Sequence, residues 1–314
     1  MGRLGETGEG MAVGRPVRVV SIGFPADRSV EEIAALVDRE GARGADLIAL
    51  PETWSGNPGA PGRSPETLDG PAISAMAALA RKHRTYIVSP IDRRDGAHRL
   101  NSSVLLDRAG EVACIYDKVY PFWSEFDAQP PVEVGRSVPV YQADFGRIGM
   151  AICFDVNFPE VWQRLADQGA ELVVWSSAYS AGTSLQAHAL NHHYTIVSAT
   201  QTPDGLVYDI TGRQILYERA EEVVVSRVTL DLDRGLYHED FNVAKRDRLL
   251  ADHGDEIVME QWLELEKWFV LKARRAGVSA RALARAYGLE ELRDYIARSR
   301  REIDAMRGGK LSAA

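Results

Sequence analysis

Three reactive side chains stand directly after strand-like apolar runs. Glu52 ends ADLIALPE, Lys118 ends EVACIYDK and Cys153 ends GRIGMAIC. A buried strand carries its last residues to the rim of a sheet, where a rigid scaffold presents catalytic groups. A cysteine attacks as its thiolate, so a nucleophilic Cys153 needs a nearby base or cation. Each residue also has a plain reading: Glu52 as a strand-end carboxylate, Lys118 as a solvated lysine, Cys153 as inert packing. Cys114, the other of the two cysteines, lies inside a hairpin strand and reads as packing. His188 and His192 share a helix face at metal-binding spacing, but no third ligand accompanies them.

The elements that must position these groups are short and alternating. Strand signals cover Val17–Phe24, Leu47–Leu50, Tyr86–Ile91, Ile148–Cys153, Glu171–Trp175, Thr195–Ala199 and Val223–Leu232. Helical periodicity covers Ser29–Arg43, Pro71–Lys82, Pro159–Asp167 and Thr183–His193. Hairpins are signalled around Asp107–Gly110 and Thr211–Arg213. Helices interleaved with hairpins exclude a single parallel sheet and predict mixed sheets with helices outside.

The joint context of the three residues is more specific than any one of them. GRIGMAICFDVNFPEVW, with LPETW upstream and YDKVYPF between, resembles the nitrilase superfamily of carbon–nitrogen hydrolases. NSSVLLDRAGEV and GAELVVWSSA extend the likeness, which runs from about Val17 to Asp231. The resemblance implies a four-layer α-β-β-α sandwich, an α/β fold, and a catalytic triad of Glu52, Lys118 and Cys153. In that scheme Glu52 takes the thiol proton, and Lys118 with the Phe154 backbone N–H stabilises the developing oxyanion. Amide-cleaving relatives carry a second glutamate between the lysine and the cysteine. Glu125 in WSEFD fits that place better than Glu133 in VEVG. Relatives acting on N-carbamoyl amino acids carry arginines after the Cys-Phe-Asp run, where Val156 and Asn157 stand here. Trp54, Tyr120, Trp123, Asn157, Tyr179 and His193 are the expected pocket residues.

These motifs predict hydrolysis of a small carboxamide, with a small-molecule amide and water as partners and no metal or organic cofactor. An N-carbamoyl amide hydrolase, a nitrilase and a catalytically idle scaffold are the competing readings. The 314 residues suffice for a large core without disulfides. With 37 Lys+Arg against 45 Asp+Glu, net charge −8, the chain is no general nucleic-acid binder. No apolar run has the length of a membrane span, and the cysteine usage predicts a cytoplasmic protein with free thiols.

Three segments are expected. Residues 1–15 read as a flexible Gly-rich leader, 16–236 as the hydrolase domain and 237–314 as a helical extension. In the last, Val258, Trp262, Leu265 and Phe269 recur at helical spacing. Its Ala284 and Gly288 spacing suggests a helix-turn-helix, but 15 Lys+Arg against 14 Asp+Glu gives no cationic surplus for DNA. The extension is expected to pack on the domain or on a second subunit, in a homodimer or larger assembly.

Overall fold

The computed structural model describes residues 12–26, 28–58 and 64–311. The chain forms two compact units, Val17–Leu230 and a second made of residues 12–16 with 231–311. The larger unit runs β1 (Pro16–Gly23), α1 (Val30–Gly41), β2 (Leu47–Ala49), α2 (Pro71–His83), β3 (Tyr86–Asp95), β4 (His98–Leu106) and β5 (Val112–Asp117). It continues with β6 (Val140–Ala143), β7 (Gly146–Ile152), α3 (Pro159–Asp167), β8 (Leu172–Ser177), α4 (Gly182–His192), β9 (Thr195–Thr200), β10 (Asp204–Tyr208), β11 (Gln214–Arg219) and β12 (Val224–Asp231).

Two six-stranded mixed sheets result, ordered β12-β1-β2-β3-β4-β5 and β11-β10-β9-β8-β7-β6. Each is parallel at its centre, with Val19 opposite Leu47 opposite Tyr86 in one and Ile148 opposite Leu172 opposite Thr195 in the other. Antiparallel hairpins flank both centres. Every residue of β2, β8 and β9 is buried, because each sheet is covered on both faces. Ile33 and Val37 of α1 and Ile73 and Met76 of α2 pack on Ile22, Ile48, Ile87 and Val104. Helices α3 and α4 cover the second sheet. The layers are therefore α-β-β-α, as expected.

Small hydroxyl residues make the seam between the sheets. Ser176 Oγ donates to the Leu50 carbonyl at 2.8 Å, Ser21 Oγ donates to Ser198, and Ser103 Oγ meets Met150 Sδ at 3.3 Å. Each of these three hydroxyls has a partner, so their burial carries no unpaired cost. Local signals also hold. Ser29 and Glu32 close a capping box on α1 at 3.2 and 2.9 Å. Proline opens α2 and α3.

The second unit corrects the expectation of a helical extension. It contains β13 (Gly235–His238), α5 (Val243–His253), β14 (Ile257–Leu263), β15 (Trp268–Ala273), α6 (Ala280–Ala286) and α7 (Leu292–Arg307). The strands form an antiparallel sheet ordered β13-β15-β14. The helical spacing of Val258, Trp262, Leu265 and Phe269 is the imprint of a hairpin. Trp262 pairs with Phe269 across it, while Leu265 sits 92% exposed at its tip and Lys267 adopts φ 59° in the turn. Tyr237, Leu249, Ile257, Phe269, Leu271 and Ala284 form this unit's own core, and the Arg246 guanidinium lies over the Trp262 and Phe269 rings. The lone amphipathic helix that motivated a subunit contact is therefore absent at 258–269.

Part of the expected leader is also tied down. The Arg15 N–H donates to Asp231 Oδ1 at 2.9 Å, and the Gly277 N–H donates to the Ala12 carbonyl at 3.2 Å. Residues 1–11 lie outside the described residues. Among the described residues, no helix is long and apolar enough to cross a membrane.

Candidate active site

Four strand ends supply the site. Glu52 follows β2 and Lys118 follows β5 on the first sheet, while Cys153 follows β7 and Ala178 follows β8 on the second. They border a cavity of about 450 Å³ that is also lined by Thr53, Asn57, Pro58, Asn101, Phe122, Ser124, Glu125, Phe154, Asn157 and Tyr179. Two strained residues lie here: Thr53 and Cys153 sit at φ 37° and 43°, left-handed values that cost a residue with a Cβ about 1–3 kcal/mol.

The buried Lys118 ammonium bridges two carboxylates. Its Nζ lies 2.7 Å from Glu52 Oε1 and 2.6 Å from Glu125 Oε2. Asn101 ties the same groups together, donating Nδ2–H to Glu52 Oε1 at 2.8 Å and to Glu125 Oε1 at 2.7 Å. Its carbonyl accepts the Lys118 N–H at 2.8 Å. Glu52 Oε2 accepts the Ala178 N–H at 2.9 Å, and the Glu52 carbonyl accepts from Gln201 Nε2 at 2.7 Å. The Phe122 N–H donates to Glu125 Oε2 at 2.7 Å within a 3₁₀ turn over Trp123–Asp127. Burial alone would push Lys118 down. The charges of Glu52 and Glu125 and the hydrogen bond to Glu125 raise its pKa, so the ammonium persists.

Gly135 lets the loop before β6 cross the end of β5 closely. A Cβ there would lie 2.0 Å from the Asp117 carbonyl oxygen, and the Gly135 N–H donates to the Lys118 carbonyl at 2.8 Å.

The Cys153 thiol is pushed up to about 12. Burial is the main cause and the Glu52 charge adds to it, while Lys118, Ser177 and the Ala178 backbone only partly counter them. At neutral pH the resting group is a neutral thiol, and a proton acceptor must act before the sulfur can attack.

The turn that carries Cys153 is held carbonyl by carbonyl. Trp175 Nε1–H donates to Cys153 O at 3.1 Å, Asn157 Nδ2–H to Phe154 O at 3.1 Å and Trp162 Nε1–H to Asp155 O at 3.0 Å. His188 Nε2 lies 2.8 Å from Val156 O. A carbonyl only accepts, so this nitrogen carries the proton. Burial lowers the His188 pKa, and its ring stacks 4.2 Å above Trp162, so this histidine packs the turn. The fully buried Asp155 carboxylate accepts from the Ile152 N–H (2.9 Å), the Tyr120 N–H (3.0 Å) and the Tyr116 hydroxyl (2.7 Å). Burial nevertheless raises its pKa to about 6.

The structure thus brings Glu52, Lys118, Cys153, Glu125, Phe154, Asn157 and Tyr179 together at one cavity. Four expected pocket residues lie outside its lining. Trp54 is fully buried in the first sheet's core, with Nε1 donating to Ser89 Oγ at 3.0 Å. Tyr120 stacks on Phe158 at 3.6 Å, its hydroxyl on Glu160. Trp123 is 76% exposed on the 3₁₀ turn. An aromatic beside a motif residue points according to its own backbone, not its neighbour's role. His193 caps α4 instead of lining the cavity. Glu133 pairs with His98 at 2.6 Å, leaving Glu125 as the carboxylate on Lys118. Sequence reasoning missed Asn101 as a site residue, although it opens the quoted NSSVLL hairpin. The Ala178 N–H, a backbone group, carries no sequence signal.

The sequence profile of the carbon–nitrogen hydrolase family matches residues 26–232. The chain is 29% identical over 154 residues to a deaminated glutathione amidase of Yersinia enterocolitica, covering 42% of this chain and 53% of that protein. It is 27% identical over 214 residues to a formamidase of Pseudomonas syringae, covering 61% and 62%. The chain thus spans between half and two thirds of the length of these two relatives. An amidase of Nesterenkonia from the nitrilase superfamily shares the fold, with a TM-score of 0.62 at 21% identity over 78% of this chain and 99% of that one. With the profile covering most of the larger unit, the chain belongs to the carbon–nitrogen hydrolase family.

Proposed function

We propose that this chain hydrolyses the C–N bond of a neutral primary carboxamide, giving a carboxylate and ammonia through a thioester on Cys153. One observation carries the reading: a buried thiol shares a cavity with a carboxylate that can take its proton and an ammonium that can meet the charge formed. Glu52 accepts the Cys153 proton as sulfur attacks the carbonyl carbon. The oxygen gains negative charge against the Lys118 ammonium and the Phe154 N–H. The C–N bond breaks, Glu52 returns the proton to nitrogen and ammonia leaves. Water then attacks the thioester and Glu52 takes one of its protons; cleavage of the C–S bond frees the acid, and Glu52 returns the proton to the departing sulfur, restoring the thiol and the carboxylate. Glu125, held by Lys118, Asn101 and the Phe122 N–H, positions substrate and water.

Neutral substrates are favoured because no arginine lines the cavity among the described residues, and Val156 is buried. The relatives named deaminated glutathione amidase and formamidase support amides over nitriles. Ammonia release from amides, N-carbamoyl amino acids and nitriles tests the reading. Amides should be cleaved best, with an acyl adduct on Cys153 by mass spectrometry for a slow substrate. Cys153→Ala should remove turnover and keep the fold. Ammonia release by that variant at the wild-type rate overturns the mechanism.

A further inference from the structure

We propose that the cavity beyond the reactive cluster is an acyl subsite for an uncharged, apolar acyl group, walled by Phe122, Phe154 and Tyr179. This rests on the amide reading above and names the substrate class that the site takes.

The first argument is size. A carboxamide head of three heavy atoms occupies the room of about three waters, roughly 90 Å³. The cavity holds about 450 Å³, within the range of sites that enclose larger organic ligands. Most of it is therefore left over once the reacting group is seated at Cys153.

The second argument is charge. Among the described lining residues the charged groups are Glu52, Lys118 and Glu125, and they are engaged with one another at 2.7 and 2.6 Å. A substrate carboxylate would meet two carboxylates and a committed ammonium, whereas an apolar chain meets rings.

The third argument is that the walls are braced. Phe122 meets Phe154 edge-to-face at 5.3 Å, Phe154 meets Phe158 at 5.4 Å, and Phe158 stacks on Tyr120 at 3.6 Å. Tyr179 packs edge-on against the buried Trp175 at 5.8 Å. Rings held this way present a preformed apolar surface, so little ordering cost opposes binding. Phe122 is 47% exposed, which leaves its ring surface available for a ligand to cover. Its backbone N–H also holds Glu125, so the same residue joins the acyl wall to the reactive cluster.

The experiment is a homologous series of acetamide, butanamide, hexanamide and phenylacetamide, with the anionic succinamate as a charged counterpart of butanamide. Burial of each methylene should raise kcat/KM about two- to fourfold. Succinamate should fall at least tenfold below butanamide. Phe122→Ala should flatten the slope and Phe122→Leu should restore most of it. Calorimetric affinities of the same amides for Cys153→Ala measure the subsite apart from the chemistry. A rising series there, with no turnover in the wild type, upholds the subsite and sinks the hydrolase reading. A flat series, or a preference for succinamate, in an enzyme that does release ammonia overturns the subsite alone.

Discussion

Trp175→Phe removes the indole N–H from the site, together with the ring atoms by which indole exceeds phenyl, and keeps an aromatic ring on the buried side chain. That hydrogen, on indole Nε1, is donated to the Cys153 carbonyl at 3.1 Å. The carbonyl of Cys153 and the N–H of Phe154 belong to one planar trans peptide and point in opposite directions. Fixing the oxygen therefore aims the N–H proposed to meet the oxyanion. The turn needs such restraint because Cys153 sits at φ 43°. Without the indole donor, a buried carbonyl loses its side-chain partner, at a cost of about 1–3 kcal/mol. The strained turn can then relax. Losing an oxyanion donor outright costs about 10²–10³ in kcat. A misaimed donor should cost less, about 10- to 100-fold, or roughly 1.4–2.7 kcal/mol in the barrier. The assay compares kcat for a saturating amide with the rate of Cys153 alkylation by iodoacetamide. Alkylation displaces iodide and builds no oxyanion, so its rate should stay within about twofold of wild type while kcat falls. An unchanged kcat refutes the argument. So does a matched fall in both rates, which would mean that the indole places the sulfur instead of the N–H.

Two further outcomes are expected. Glu52→Gln should abolish acyl-enzyme formation in a single-turnover experiment, whereas Glu125→Gln should slow turnover and let the Cys153 adduct accumulate; identical acylation in the two variants contradicts the division of roles. Asp155, raised from the ordinary 3.8 to about 6 by burial, should produce an acid limb in kcat near pH 6. Tyr116→Phe removes a donor to its charged form, so that limb should move to higher pH, and a limb that stays or moves down contradicts the assignment. The same shift means that the folded chain binds this proton more tightly than the unfolded one, so the group's contribution to stability should fall as pH rises from about 4 to about 6.

Glu52, Lys118 and Cys153 were legible in the sequence because each lies one to three residues past the end of its own strand, and the residues just after a buried strand emerge at the sheet rim whatever the rest of the chain does. The paired sheets and their flanking helices were legible for a similar reason. Continuous apolar runs, capping residues and turn residues act over a few positions, and they agree with the global fold. The preference for Glu125 over Glu133 could be argued from a motif, but the contact of Glu125 with Lys118 depends on the 3₁₀ turn over Trp123–Asp127. The hairpin of 257–273 defeated periodicity because residues facing each other across a turn can imitate a helical repeat, and strand pairing outweighed local spacing. Trp54, Tyr120 and Trp123 are adjacent to motif residues in sequence and outside the cavity in space. Asn101, the Ala178 N–H and Trp175 come from elements far apart in the chain. Asn101 reaches Glu52 across the first sheet and Trp175 reaches Cys153 within the second, while the Ala178 N–H meets Glu52 only after the two sheets have packed face to face, so the tertiary structure alone decides what holds the carboxylates and aims the peptide at Phe154.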